Sequence, residues 1–187
     1  MDTKAWKTGK KLSAVLSAFR AMKSRDLKIL ATHTAEEAAL KDSKKLAKIA
    51  ITAYALYKIL SKSHFIRDKR WKGTAKIIEN EIENAIKAAS IGNDAGTMGA
   101  LEKAEERINY IDGELSNFAG NIYGKAKMKQ ASTVYATGLS LSKAAELTGA
   151  DKKELQMYIG STRIHDEHPN MEGISKRLKV LKEMLGE

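Results

Sequence analysis

The stretch Leu139–Gly160, LSLSKAAELTGADKKELQMYIG, decides how this chain is read. Two short apolar-patterned segments flank Gly149, and a glycine between helices supplies the positive φ of a sharp turn. Ala144 and Ala145 lie in the first segment, and Gly149 follows Ala145 by four, so small side chains sit where two helices would cross closely. Leu147 and Leu155 supply core contacts, while Tyr158 and Ile159 close the far end of the second segment. Ser142 or Ser140 suits the N-cap of the first helix and Asp151 that of the second, because a side-chain oxygen there accepts from an otherwise free backbone N–H. The preceding run KAKMKQASTVYATG predicts a supporting helix that completes a tri-helical unit.

Outward from this stretch, the composition favours helix throughout. Of 187 residues, 43% are hydrophobic, 30% charged and only 6% aromatic, with a single proline, Pro169. Ala, Lys, Leu, Glu and Ile dominate, and the first four are strong helix formers. No apolar run reaches the roughly 18–20 residues that span a bilayer, so no membrane segment is expected. The start MDTKAWKTGKK carries no apolar block of a secretory signal. With no cysteine, disulfides, thiol catalysis and Cys-ligated zinc are excluded, and a cytoplasmic location is the simplest expectation.

Periodicity places the other helices. Leu12, Val15, Leu16, Phe19 and Met22 share one helical face and predict a helix over about 10–30. Thr34-Ala35-Glu36-Glu37 reads as the N-cap and acidic first turn of a second helix, running to about Ser63. That helix carries Leu46, Ile49, Ala50, Ala53, Tyr57 and Leu60 on one side and lysines over much of the rest. The polar segment 63–73 is expected to be a hinge or loop, and residues 74–90 a helix with Ile78, Ile82, Ala85 and Ala89 inward. After a turn at Gly92–Gly96, Leu101, Ala104, Ile108, Ile111, Leu115, Phe118 and Ile122 alternate by three and four, the seam of a helical hairpin. The terminal run GISKRLKVLKEMLGE spaces Ile174, Leu178, Leu181 and Leu185 as an amphipathic helix, for packing in the chain or for a homodimer.

The net charge of +10 is uneven. Residues 1–76 hold 19 Lys/Arg against 6 Asp/Glu, and residues 77–121 hold 3 against 9. A basic N-terminal half suits nucleic acid, an acidic partner or an anionic surface; the plain alternative is a solvated lysine-rich exterior.

The residues 125–160 resemble the helix–turn–helix of DNA-binding proteins. In a narrower sense S-L-S-K-A-A-E-L-T-G and E-L-Q-M-Y-I-G look like uncharacterised archaeal helical proteins with a C-terminal helix–turn–helix. They are also similar to small antitoxin-like proteins carrying S-x-x-K-A-A-E-L-x-G. The resemblance implies binding of double-stranded DNA, or pairing with a protein partner. If the motif docks in that way, the second helix enters the major groove with its N-terminal residues towards base edges. Lys152, Lys153 and Gln156 would then face the bases, with Lys143 on the helix before; glutamine pairs with adenine, and lysine reaches guanine or phosphate. Arg163 and the upstream Lys125, Lys127 and Lys129 would meet the backbone, while Glu154 puts a negative charge near the same face.

Other constellations carry little chemistry. His165-Asp166-Glu167-His168 has metal-ligand residue types, but adjacent ligands on one loop rarely converge on an ion, so no metal is assigned. Gly92–Gly99 is glycine-rich yet lacks the Gly-Lys-Ser/Thr of a phosphate loop and has no preceding strand. No catalytic grouping emerges, and no enzyme or cofactor is expected. The sequence thus predicts an all-α protein: a helical bundle with a long hairpin over about 1–122, then a small helix–turn–helix-like tri-helical module over about 123–187. Its expected role is non-catalytic DNA binding, as of a transcriptional regulator, with a helical protein–protein interaction module as the alternative.

Overall fold

The computed structural model describes residues 3–115 and 121–161, and these are all-α, without strands. Nine helices are described: α1 (Thr3–Arg20), α2 (Ser24–Leu40), α3 (Lys44–Leu60), α4 (Ser63–Arg67), α5 (Trp71–Ser90), α6 (Asp94–Leu115), α7 (Ile122–Ala136), α8 (Leu141–Thr148) and α9 (Lys152–Ser161). No described helix is long and apolar enough to cross a membrane.

The helix α3 is the axis of the molecule. Twelve of its 17 residues are buried, from Leu46 to Leu60, and a helix apolar on every side must be enclosed. The expectation of a single apolar side with lysine over the rest is corrected here: lysines are confined to the two ends. Its neighbour α2 presents Leu27, Ala31, Thr34, Ala35, Ala38 and Ala39. The helix α3 packs along α2 and buries Ala47, Ala50 and Ala53, and small side chains allow close approach of helix axes. On another side α5 and α6 pair through Ile78, Ile82, Ala85 and Ala89 against Leu101, Ala104, Ile108 and Ile111, as the seam predicts. Ile122 leaves that seam and opens α7 instead, its N–H donating to the buried Asp112 carboxylate at 2.6 Å. Phe118 lies outside the described residues. The Phe19 ring of α1 meets Trp71 edge-on at 6.0 Å and ties α1 to α5.

Two predicted helices are cut where the sequence gives no glycine. The helix expected over 10–30 breaks at Met22, with φ 55°, and the one expected over 34–63 begins at 24 and breaks at Asp42, with φ 48°. At Met22 the N–H of Lys23 reaches back to the Ala18 carbonyl at 2.9 Å; at Asp42 that of Ser43 reaches Ala38 at 3.0 Å. The same six-to-one closure follows Gly92 and Gly149, so four helices end on one left-handed device, two of them on non-glycine residues. Thr34 is therefore no cap; it is a buried interior residue of α2, and Ser43 caps α3 by accepting from the Leu46 N–H at 3.3 Å. The segment 63–73, expected as a hinge or loop, instead holds α4 around the buried Phe65 and the first residues of α5, which begins at Trp71.

Much of the charge asymmetry is consumed inside the fold. Arg20 of α1 pairs with Glu79 and Glu83 of α5, and Lys45 and Lys48 of α3 pair with Asp94 and Glu105 of α6. Arg70 donates to Asp68 through its backbone N–H at 2.8 Å and Nε at 2.9 Å, and to Glu114 through Nη1 at 2.8 Å. The Arg70 side-chain bonds, then its backbone bond, hold the Asp68 carboxyl down at about 2. Because the folded value is depressed, the link is complete above about pH 4 and is lost as pH falls towards 2. Carboxyl-carbon NMR titration of Arg70→Gln is expected to raise Asp68 part of the way towards its usual value of about 4, because the backbone bond remains. An unmoved value would assign the whole effect to the backbone bond.

Candidate nucleic-acid interface

The unit built from α7, α8 and α9 is shaped by its caps. Asn121 accepts from the Gly124 N–H at 2.7 Å and starts α7. Ser140, not Ser142, caps α8 by accepting from the Lys143 N–H at 3.2 Å. Gly149 ends α8 in the left-handed conformation, φ 69° and ψ 24°, which a residue with a Cβ adopts only at a cost of about 1–2 kcal/mol. Asp151 then accepts from the Glu154 N–H at 2.9 Å and starts α9. Ala144 and Ala145 are buried, as their spacing predicts, and Thr148 folds its hydroxyl back onto the Ala144 carbonyl at 2.7 Å.

This unit has no core of its own. Ala126, Ala131, Val134, Ala144, Leu147 and Leu155 belong to the same continuous cluster as Leu56 and Ile108. The helix α7 lies along both α2 and α3, and α8 touches the same pair. The boundary near 122 therefore marks a change of charge and helix length, with one shared interior across it.

The predicted contact residues fall into three groups. Lys152, Lys153 and Gln156 are exposed on one arc of α9, together with Met157 and Gly160, and have no carboxylate partner among the described residues. At about 100° per residue this arc is centred roughly 130° from Glu154, which instead lines a cleft with Glu105 and Asn109 of α6. The expectation that Glu154 shares the basic face is thus corrected. Lys143 turns the other way, to Asp42 in the α2–α3 turn at 2.9 Å and to Glu146 at 3.4 Å, and Asp42 first among them raises its pKa. Glu146 is also reached by Lys44 at 3.2 Å, so α8 is clamped to the start of α3 by ions of both signs.

Of the α7 lysines, Lys125 is exposed and Lys129 half-buried, whereas Lys127 lines two adjoining clefts of about 250 and 230 Å³ on either side of Gly149. Both clefts share Tyr123, whose phenol is pushed well up, chiefly by burial. Arg163, the His165–His168 loop and the amphipathic run 174–185 lie outside the described residues.

The sequence reading missed one group on α3 and α2. Tyr54 and Tyr57 of α3 meet edge-on at 5.2 Å, and Lys58 lies 5.6 Å from each ring centroid. Lys28 of α2 lies 5.9 Å from Tyr57. Tyr54 is pushed up to about 12, first by burial, then by Tyr57 and by Tyr158 of α9. The spacing Tyr54-x-x-Tyr57-Lys58 hints at one face, but nothing local in the sequence brings Lys28 to it.

The described residues thus define an all-α fold whose last two described helices meet at a left-handed glycine and expose a basic arc. The chain matches no family model, no curated protein and no solved structure.

Proposed function

We propose that the chain binds double-stranded DNA without catalysis, with α7, α8 and α9 acting as a helix–turn–helix and α9 entering the major groove. The observation that carries this reading is the exposed arc of α9. Lys152, Lys153, Gln156 and Met157 are its first, second, fifth and sixth residues, all exposed and free of carboxylates among the described residues. A groove-entering helix presents its N-terminal side chains to base edges, and these four have suitable chemistry. Lysine donates to guanine or phosphate, glutamine pairs with adenine, and a methionine side chain gives apolar contact to a thymine methyl. Lys125 and Lys129 add cations on the supporting helix. Lys143 and Lys127 belong to the internal clamp and the cleft, and drop to minor roles. A homodimer on a palindromic site would set two copies of α9 about 34 Å apart.

The test is fluorescence anisotropy with a mixed-sequence duplex, titrated over salt, for the wild type and Lys152→Ala/Lys153→Ala. The wild type is expected to bind with an affinity that falls steeply with salt. The double variant is expected to lower the log–log slope by about 1–2, since each phosphate contact contributes roughly 0.9. Absence of binding at low salt would sink the reading.

A second reading, docking of a helical protein partner, is favoured by one observation: Met157 is 74% exposed on the same arc. It predicts binding that is insensitive to salt and abolished by Met157→Glu.

A further inference from the structure

We propose that the outer face of α2 pairs with the same face of a second copy of this chain, antiparallel and about a two-fold axis; this goes beyond the DNA reading and does not depend on it. Seven large apolar side chains are exposed among the described residues, and only two of them, Ile29 and Leu40, share a helix. They are 45% and 51% exposed. Between them stand His33 and Glu36, also open to solvent, with His33 Nδ1 3.2 Å from the Glu36 carboxylate. The four are spaced by four, three and four residues, the seam of a helix pair. At about 100° per residue this stripe is centred roughly 170° from the face that α2 buries in the core. It therefore points straight out of the bundle.

What complements this stripe is the stripe itself, reversed. The midpoint between Ile29 and Leu40 is also the midpoint between His33 and Glu36. When two copies of α2 run antiparallel about that point, Ile29 of each meets Leu40 of the other, and His33 of each meets Glu36 of the other. Apolar side chains are matched at both ends, and at the centre an imidazole N–H donates to a carboxylate twice. A two-fold contact needs such self-complementarity, since each of its contacts occurs twice. A parallel pair lacks it, because it sets His33 against His33 and Glu36 against Glu36. The nearby lysines are turned aside: Lys28 lies over the Tyr57 ring of α3, and Lys41 is paired with Glu37. Arg25 and Asp26 stand beyond the last turn of the antiparallel partner, since α2 ends at Leu40. A pair of helix faces this short belongs with the weak interfaces below about 1,200 Å², so the dimer is reversible and depends on concentration.

The experiment is sedimentation equilibrium of the full chain without DNA, over a concentration series that reaches millimolar, after thermal melting has established that each variant is folded. The wild type is expected to dimerise reversibly. Ile29→Ser/Leu40→Ser is expected to abolish the dimer, and Ile91→Ser, at an apolar residue 78% exposed elsewhere, to leave it unchanged. His33→Glu sets like charges opposite one another and is expected to weaken association about tenfold. His33→Glu/Glu36→Lys restores an opposite-charge match and is expected to recover it. The register is read by cross-linking, because the chain has no cysteine of its own. On oxidation, Ile29→Cys/Leu40→Cys is expected to give a covalent dimer and Ile29→Cys alone none. The two copies of residue 29 lie about 16 Å apart along the pair, whereas a disulfide needs Cα atoms within about 7 Å. A wild type that stays monomeric, a dimer that survives the double serine variant, or ready cross-linking of Ile29→Cys alone would each overturn the pairing.

Discussion

Replacing Leu56 by alanine is expected to lower the stability of the whole protein by about 2–5 kcal/mol. Leu56 is fully buried in the middle of α3, and α3 touches α2, α6, α7 and α8. Removing its branched end takes away apolar burial and leaves a cavity that four surrounding helices cannot all collapse into. Since domains are stable by only about 5–15 kcal/mol, this single change removes a large share of the total. Urea unfolding should show a lower midpoint with an unchanged slope, the mark of lost stability without a change in exposed surface. A loss under about 1 kcal/mol would mean that α3 is not the packing axis.

The second large effect is local. Leu155 is the one fully buried side chain among the residues of α9; Tyr158 and Ile159 are only half-buried, and the rest are exposed. Leu155→Ala is expected to detach α9, because the remaining contacts offer little against the entropy of ordering ten residues. Amide exchange should then lose protection along α9 while α3 keeps its own, since short peripheral helices open independently of the core. Binding to duplex should weaken at least as far as in the Lys152→Ala/Lys153→Ala variant. Equal loss of protection in α3 and α9 would show that α9 is part of the cooperative core, and would overturn this account.

Turn chemistry marks the limit of what could be read in advance. Gly92 and Gly149 announce their turns because glycine occupies positive φ at no steric cost. Met22 and Asp42 do the same work and announce nothing. The chain is held left-handed there by the docking of α2 against α3 and α1 against α5, which outweighs the local strain. Local pattern therefore predicts two helices with displaced ends and a cap at Thr34, which is an interior residue. For the same reason the sequence shows that Ser140 or Ser142 caps α8, but only the tertiary placement of Leu141 against the core selects Ser140.

The charge pattern separates the two levels further. An excess of cations in residues 1–76 and of anions in residues 77–121 is plain in the sequence. Which of them cancel is not, since Arg20 and Glu83, or Lys48 and Glu105, are more than 50 residues apart. The same holds for the candidate interface. Lys152, Lys153 and Gln156 are legible as the polar positions that open the helix after Gly149. Lys143 is expected to join them from the preceding helix, and only the approach of Asp42 shows that it belongs to an internal clamp.

By itself, then, the sequence determined the all-α class, the seam of α5 and α6, and the α8–Gly149–α9 turn, all of which rest on spacings within about four residues. Tertiary structure decided the enclosure of α3, the breaks at Met22 and Asp42, and which lysines keep their charge free. Those depend on side chains brought together from distant positions, where packing and Coulomb attraction outweigh local preference.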